Sequence, residues 1–485
     1  MYVIGTAGHV DHGKSALVKA LTSIDPDRLP EEKQREMTID LGFAWWTLPS
    51  GKEISIVDVP GHERFIKNML AGVGAINVAI LVIAADEGVM PQTREHISIL
   101  EILNVDKIVV AITKIDLVDQ ETIQLVEIEA NDLLSSTRFR GSQVISVSSR
   151  NGNGIRRLSE TIDELVGLAR PRENLGRPRL SVDRSFSVSG FGTVVTGVLI
   201  DGCFAVGQEV YLARSGNKSR IRRIQSHKKD LTDARPGTRI AVNLSGVSRH
   251  DAGRGEVLID NRCPILTARL DARLTVSSHV SRTLKHNQQV TFHVFTTESS
   301  ARVRILDNEN LIPGQDGLVQ IHLKSPVYLL RGDRFVIRSS DETLGGGYII
   351  DAHPRRRHRR FVSSILESLM TIENGAEGNS MLRFIDESAP TTSLGLAKIT
   401  NLSIHETLLT LGSLHDSGKI ILLGAEGLTE NCIIYSARKW DLVKDRANEI
   451  LKSYHRDYPT RQGIPKEEFR SRLDYDATPF QQMLD

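Results

Sequence analysis

The sequence predicts a multidomain chain: an α/β domain first, two small β-barrels next, and helix-rich α+β units last. Three changes of texture predict that order. Residues 1–172 alternate short apolar runs with longer helical patterns. From 177 the runs shorten, alternate and are broken by glycine, and from 361 helical spacing returns.

In the first region the strand candidates are "YVIGTA", "EISIVDV", "VAILVIAA", "KIVVAIT" and "SQVISVS". Segments such as "KSALVKALTSI" and "TREHISILEIL" carry helical spacing between them, which predicts a mostly parallel sheet covered on both faces. "GLARPRENLGRPR" reads as a linker. Two barrels are then expected, over 177–262 from runs such as "EVYLAR", "SRIRRIQSH" and "TRIAVNLSG", and over 265–352 from "ARLDARLTV" to "DRFVIRSS". "RRRHRR" at 355–360 marks the next boundary. Over 361–485, helices followed by "KIILLG" read as a winged helix. A related pattern begins at "DRANEILKSYHRDYP" and stops at "FQQMLD" without a closing strand pair, so the second module is expected to be incomplete.

The balance of 61 basic against 60 acidic residues excludes a polyanion-binding surface spread over the whole chain, so any nucleic-acid surface is local. Three cysteines, Cys203, Cys263 and Cys432, lie far apart and suggest neither a disulfide framework nor a zinc site. No signal-peptide pattern precedes the first strand, and "INVAILVIAA" is too short to cross a bilayer. A cytoplasmic protein with no membrane partner is expected, acting as a monomer.

"GHVDHGKS" (8–15) fits the phosphate-loop pattern and stands between a strand and a helix. Gly8 and Gly13 let backbone N–H groups converge on phosphate oxygens, at the positive end of the following helix. His9, Val10, Asp11, His12 and Ala16 complete the loop and the first helical turn; Lys14 is placed to bridge β- and γ-phosphates, and Ser15 to ligate Mg²⁺. "DVPGH" (58–62) closes a strand, with Asp58 expected to reach the metal through water and the Gly61 N–H to sense the γ-phosphate. "TKID" closes another strand. Its Asp116 can accept from the guanine N1 and N2 donors, with Lys114 along the base. Ser148, Ser149 and Arg150 follow the next strand and are expected at the base edge. In this order the motifs predict a GTPase that binds GTP and GDP with Mg²⁺. Thr113 stands where an asparagine is usual; its hydroxyl can tie neighbouring loops but lacks the reach of an amide.

"GHVDHGKS", "REMTID" and "DVPGHERFIKNMLAGVGAINVAILVIAADEGVMPQTREH" resemble the elongation factor Tu-like translational GTPases. "DRLPEEKQREMTIDLGFAWW" and "VDRSFSVSGFGTVVTGVLIDG" are most similar to the selenocysteine-specific branch of that family. The resemblance implies that Thr38 ligates Mg²⁺ while the γ-phosphate is present. It implies catalysis by His62, orienting the attacking water on the ribosome, with Lys14 and Asp11 at the phosphates. Val10 and Met37 would form an apolar gate, and Glu36 stands where the family commonly has glycine.

The resemblance further implies a cargo, selenocysteyl-tRNA, delivered to the ribosome at a recoded UGA stop codon. A selenol ionises more readily than a thiol, so its pocket calls for fixed positive charge. Asp183, Arg184 and Arg239 match the family's pocket, and His227 is a further candidate. The winged-helix region is expected to offer an mRNA hairpin (SECIS) a surface, and "RRRHRR" reads as an RNA contact or a solvated linker. Two other readings stay open here: another translational GTPase, and an RNA-binding assembly factor that uses GTP as a latch.

Overall fold

The computed structural model describes residues 2–27, 40–61, 68–69, 76–169, 172, 174–188, 190, 192–260, 264–354, 356–374, 377–400, 404–423, 428–429, 432–473 and 480–481. It divides into two compact units, Met1–Leu366 and Glu367–Asp485.

The first unit opens with β1 (Tyr2–Gly8), then α1 (Lys14–Thr22), β2 (Gly42–Thr47), β3 (Glu53–Asp58), β4 (Val78–Ala84) and α2 (Pro91–Ile102). β5 (Lys107–Thr113), α3 (Gln120–Ser135), β6 (Val144–Ser146) and α4 (Ile155–Leu168) follow. Among the described residues the sheet order is β2-β3-β1-β4-β5-β6, parallel except for the edge strand β2. Its central strands are apolar without alternation because both faces are covered. On β1, Val3 and Ala7 enter one core with Leu81 and Ile97, while Ile4 enters the other with Leu17, Ile80 and Leu158. Each fully buried Leu, Ile or Val side chain contributes on the order of 1.5–3 kcal/mol. Asp119 caps α3, its carboxylate accepting from the Thr122 N–H at 2.8 Å.

The next sheet begins with β7 (Arg179–Val188) paired antiparallel to β8 (Gly192–Asp201). β8 pairs with Arg239–Leu244, and pairing of Glu209–Leu212 with Lys218–Ser226 brings the outer strands together around Leu180, Val195, Phe204 and Ile240. The third sheet is a closed six-stranded barrel spanning Thr267–Asp351 and filled by Leu270, Phe292, Val303 and Phe335. It packs on α2: Ser98 and Ser277 hydroxyls meet at 2.8 Å, and Glu95 accepts from the Thr343 hydroxyl at 2.6 Å and from Arg338 at 3.3 Å.

The basic run that the sequence offers as a linker or RNA contact lies against this barrel. His358 Nε2 is 2.7 Å from the buried Asp271 carboxylate, Gln320 Nε2 donates to the Arg356 carbonyl, and Arg304 donates to the His358 carbonyl. Arg356, Arg357 and Arg359 remain exposed.

In the second unit, strand Ile433–Ser436 lies between Thr391–Thr392 and Ile420–Leu423, all antiparallel. Helices Glu377–Ser388, Ser393–Thr400 and Ile404–Asp416 pack through Met381, Ile385, Leu396 and Leu411 on Ile434, a winged-helix arrangement. Helix Ala437–Asp457 then meets Lys466–Leu473 around Phe469, Leu473 and Phe480. No helix among the described residues is long and apolar enough to cross a membrane.

Candidate functional site

The loop at the end of β1 is held open by glycine. A Cβ on Gly8 (φ 135°) would stand 2.2 Å from the Val82 carbonyl oxygen, and Gly13 (φ 80°) starts α1 in the left-handed region. Gly8's N–H donates to His96 Nδ1 on α2 at 2.9 Å, so Gly8 supplies the bend while its own N–H is committed to the helix. Burial holds His96 neutral, its pKa pushed down to about 3. His96 was not legible as a site residue, since 88 positions separate it from its partner.

Lys14 is buried and donates to the His9 carbonyl; burial pushes its pKa down to about 8, against the pull of Asp58 and Asp11. The Ser15 hydroxyl donates to Asp58 at 2.6 Å, and the Thr6 hydroxyl donates to the other Asp58 oxygen at 2.6 Å. Burial raises the Asp58 pKa to about 6, and those two hydroxyls pull it back. Gly61 backs directly on the loop: a Cβ there would lie 2.5 Å from Lys14 Nζ and 2.6 Å from the Val10 nitrogen. Asp11 is exposed in the left-handed region at φ 60°, Ala16 is exposed in the first turn of α1, and the His9 and His12 rings lie 5.0 Å apart. Thr38, Met37, Glu36 and His62 lie outside the described residues.

On the neighbouring loops, the Thr113 hydroxyl donates to the His12 carbonyl at 2.7 Å, tying the end of β5 to the phosphate loop. Lys114 reaches Asp86 at 3.2 Å and Glu87 at 3.5 Å. Asp116 is exposed and accepts from the Ser148 hydroxyl at 2.6 Å, a bond that holds its carboxyl below the usual range. Ser148 is fully buried and its hydroxyl also accepts from the Arg150 N–H, while Ser149 is half-buried beside it. The structure therefore gathers the loop, Asp58, Gly61 and the two base-side turns at the C-terminal ends of β1, β3, β5 and β6, where open α/β sheets bind ligands.

A second cluster joins β7 to the edge strand β2. The pairing of β7 with β8 slips between Val182 and Arg184, and this bulge re-aims Asp183. Asp183 is buried, accepts from the Thr196 hydroxyl at 2.6 Å, and takes Arg239 at 3.1 Å on both oxygens. Arg184 donates to Asp40 at 2.8 Å and to the Leu41 carbonyl at 2.7 Å. Both guanidiniums face the Phe43 ring, Arg239 at 3.4 Å and Arg184 at 5.3 Å from its centroid. Arg254 approaches Asp40 at 3.9 Å. His227 is not part of this set: its Nε2 lies 2.9 Å from the Ser55 hydroxyl and its ring stacks on Trp45. Asp40, Phe43 and Arg254 were missed; Asp40 follows "MTI" directly and Phe43 three residues later, where proximity to the nucleotide motifs was the available signal.

Models of the elongation factor Tu GTP binding domain and of elongation factor Tu domain 2 match residues 1–167 and 192–259. Those of the selenocysteine-specific elongation factor beta-barrel domain and of the elongation factor SelB winged helix match 271–356 and 449–485. The selenocysteine-specific elongation factor of Desulfomicrobium baculatum is 37% identical over 476 residues, covering 97% of this chain and 74% of that protein. The chain belongs to the selenocysteine-specific elongation factors. It is accordingly a translational GTPase that uses GTP and GDP. The crystal structure of a bacterial selenocysteine-specific elongation factor, EF-Sec, superposes with a TM-score of 0.82 at 28% identity, covering 100% of this chain and 76% of that one. That of SelB from Methanococcus maripaludis, in complex with the GTP analogue GppNHp, gives 0.66 at 28% identity over 73% and 80%.

Proposed function

We propose that this chain binds selenocysteyl-tRNA with GTP, carries it to the ribosome at a recoded UGA codon, and hydrolyses GTP there. The observation that carries the reading is the convergence of Arg184 and Arg239 at one aromatic ring, with Asp183 holding Arg239. Guanidinium groups keep their charge and offer a rigid fork, which suits a selenolate better than a neutral hydroxyl. The fit of Mg²⁺ rests on hard oxygen donors: the Ser15 hydroxyl and the buried Asp58 carboxylate already face each other, and a cation would favour the ionised carboxylate. The metal would neutralise charge at the β- and γ-phosphates. Asp116 would read guanine, oriented by Ser148, and Lys14 would neutralise the transferred phosphoryl group. Thr38 and His62 would complete the metal shell and position the water. The second unit would offer mRNA its basic side chains.

The deciding experiment compares GTP-dependent binding of selenocysteyl-tRNA and seryl-tRNA, with and without Arg239→Ala. A preference for the selenocysteyl form that the variant loses supports the reading. Equal binding of both forms by the unaltered protein overturns it.

A further inference from the structure

Arg184 and Arg239 are treated differently by their surroundings. Arg239 rests on Asp183, a buried carboxylate that also accepts from the Thr196 hydroxyl. Arg184 rests on Asp40, which is about three-tenths exposed and stands two residues before β2. Asp40 spends one oxygen on Arg184, while the other accepts from the Leu41 N–H at 2.8 Å and faces Arg254. A partly exposed carboxylate between two arginines is itself an anion in an anion seat. Such a pair contributes little to stability and exchanges readily for another anion.

We propose that Asp40 is an internal competitor for the anionic cargo: its carboxylate takes the Arg184 Nη2 group that a selenolate would use, and the cargo must displace it. Asp40 thereby sets how strongly the protein must favour a fully ionised side chain before the pocket opens to it. A neutral hydroxyl gains less from Arg184 than a selenolate does and too little to displace Asp40, so seryl-tRNA leaves the pair in place and is insensitive to it. The competitor is also wired to the nucleotide site. Gly42, two residues on, is paired in register with Asp58, and a Cβ at Gly42 would stand 3.0 Å from the Asp58 Cβ. Asp58 accepts from Ser15, so the segment 40–43 that presents Asp40 and Phe43 to the arginines abuts the metal-site carboxylate.

The proposal rests on the pocket reading above, and its test separates the two. Affinities for selenocysteyl-tRNA and seryl-tRNA are measured with the full chain and GTP for Asp40→Asn, Asp40→Glu and Arg184→Gln. Asp40→Asn is expected to bind selenocysteyl-tRNA about fivefold tighter. Seryl-tRNA controls for the polyanionic tRNA body: a long-range charge effect would tighten both forms equally and would overturn the proposal. Asp40→Glu, which restores the carboxylate, is expected to return the affinity toward the original. Weaker selenocysteyl-tRNA binding by Asp40→Asn would show that Asp40 orients Arg184, and would likewise overturn it. If Arg184→Gln leaves both affinities unchanged, the pocket reading has failed. If Arg184→Gln loses the selenocysteyl preference while Asp40→Asn changes nothing, only the competitor has failed.

Discussion

The Arg239 guanidinium lies 3.4 Å from the centroid of the Phe43 ring, so a residue of the second domain rests on the edge strand of the first. A cation on an aromatic face is worth about 0.5–2 kcal/mol, more as water is excluded. Phe43→Leu keeps an apolar side chain at this buried position but removes the ring. Selenocysteyl-tRNA affinity is expected to fall about fivefold, with seryl-tRNA little changed and the folding transition still cooperative. Equal losses for both tRNAs would mean that Phe43 serves only the packing between β2 and the second domain.

Lys14 makes nucleotide affinity depend on pH. Burial lowers its pKa to about 8, and the protonated form is the one that attracts phosphate. Above that value each unit of pH removes roughly nine-tenths of the charged form, so GTP affinity is expected to fall about tenfold per unit. Calorimetry in two buffers of different ionisation enthalpy should show proton uptake on binding above about pH 8. Lys14→Gln is expected to bind weakly and without that dependence.

Asp58 makes stability fall with rising pH as well, in a lower window. Its pKa is raised from 3.8 to about 6 in the folded chain, so between those values the folded state holds more protons than the unfolded state. Stability without nucleotide is therefore expected to fall as pH rises through that window, and to stay lower above it. Asp58→Asn removes the charge and keeps one acceptor oxygen, so one of the two hydroxyls must turn to accept from the amide N–H. It should raise Tm by about 2–4 °C near neutral pH while weakening Mg²⁺-dependent GTP binding. A variant with unchanged Tm and unchanged metal dependence would remove Asp58 from both roles.

Thr113 compensates in part for the asparagine that is usual at its position. Its hydroxyl is buried and donates to His12, so Thr113→Val would leave that carbonyl without this donor while keeping the side-chain shape. A net cost of about 1 kcal/mol, expressed as roughly fivefold weaker GDP binding, is expected by equilibrium titration.

The parallel sheet and the phosphate loop were legible because burial on both faces leaves unbroken apolar strands, and the nucleotide motifs sit where those strands end. Gly8 and Gly61 were legible from their motifs, and the structure adds that each approaches backbone or side chain too closely for a Cβ. Contacts between distant segments were not. Gly8 with His96, Arg239 with Phe43 and His227 with Ser55 depend on how elements pack, and nothing local to either partner encodes the other. His227, a pocket candidate by its place in "QSHKKD", stands at a hairpin tip with φ 50°, its ring on Trp45 and its Nε2 beside the Ser55 hydroxyl.

"RRRHRR" illustrates the same limit and offers a direct check. A run of like charges is ordinarily solvated, and composition alone cannot show that its backbone is pinned. Here His358 meets Asp271, whose carboxyl is raised above the usual range by burial and drawn back by His358. Two neighbouring carbonyls accept from Gln320 and Arg304, while the arginines on either side stay exposed. Trypsin must therefore wait for the strap to lift before cutting at Arg356 or Arg357. His358→Ala removes the run's side-chain bond to Asp271, and cleavage there is expected to accelerate about tenfold. The barrel's own unfolding should shift far less, because Leu270, Phe292 and Phe335 are untouched. If wild type and variant are cut at the same rate, the run behaves as the free linker its composition suggests.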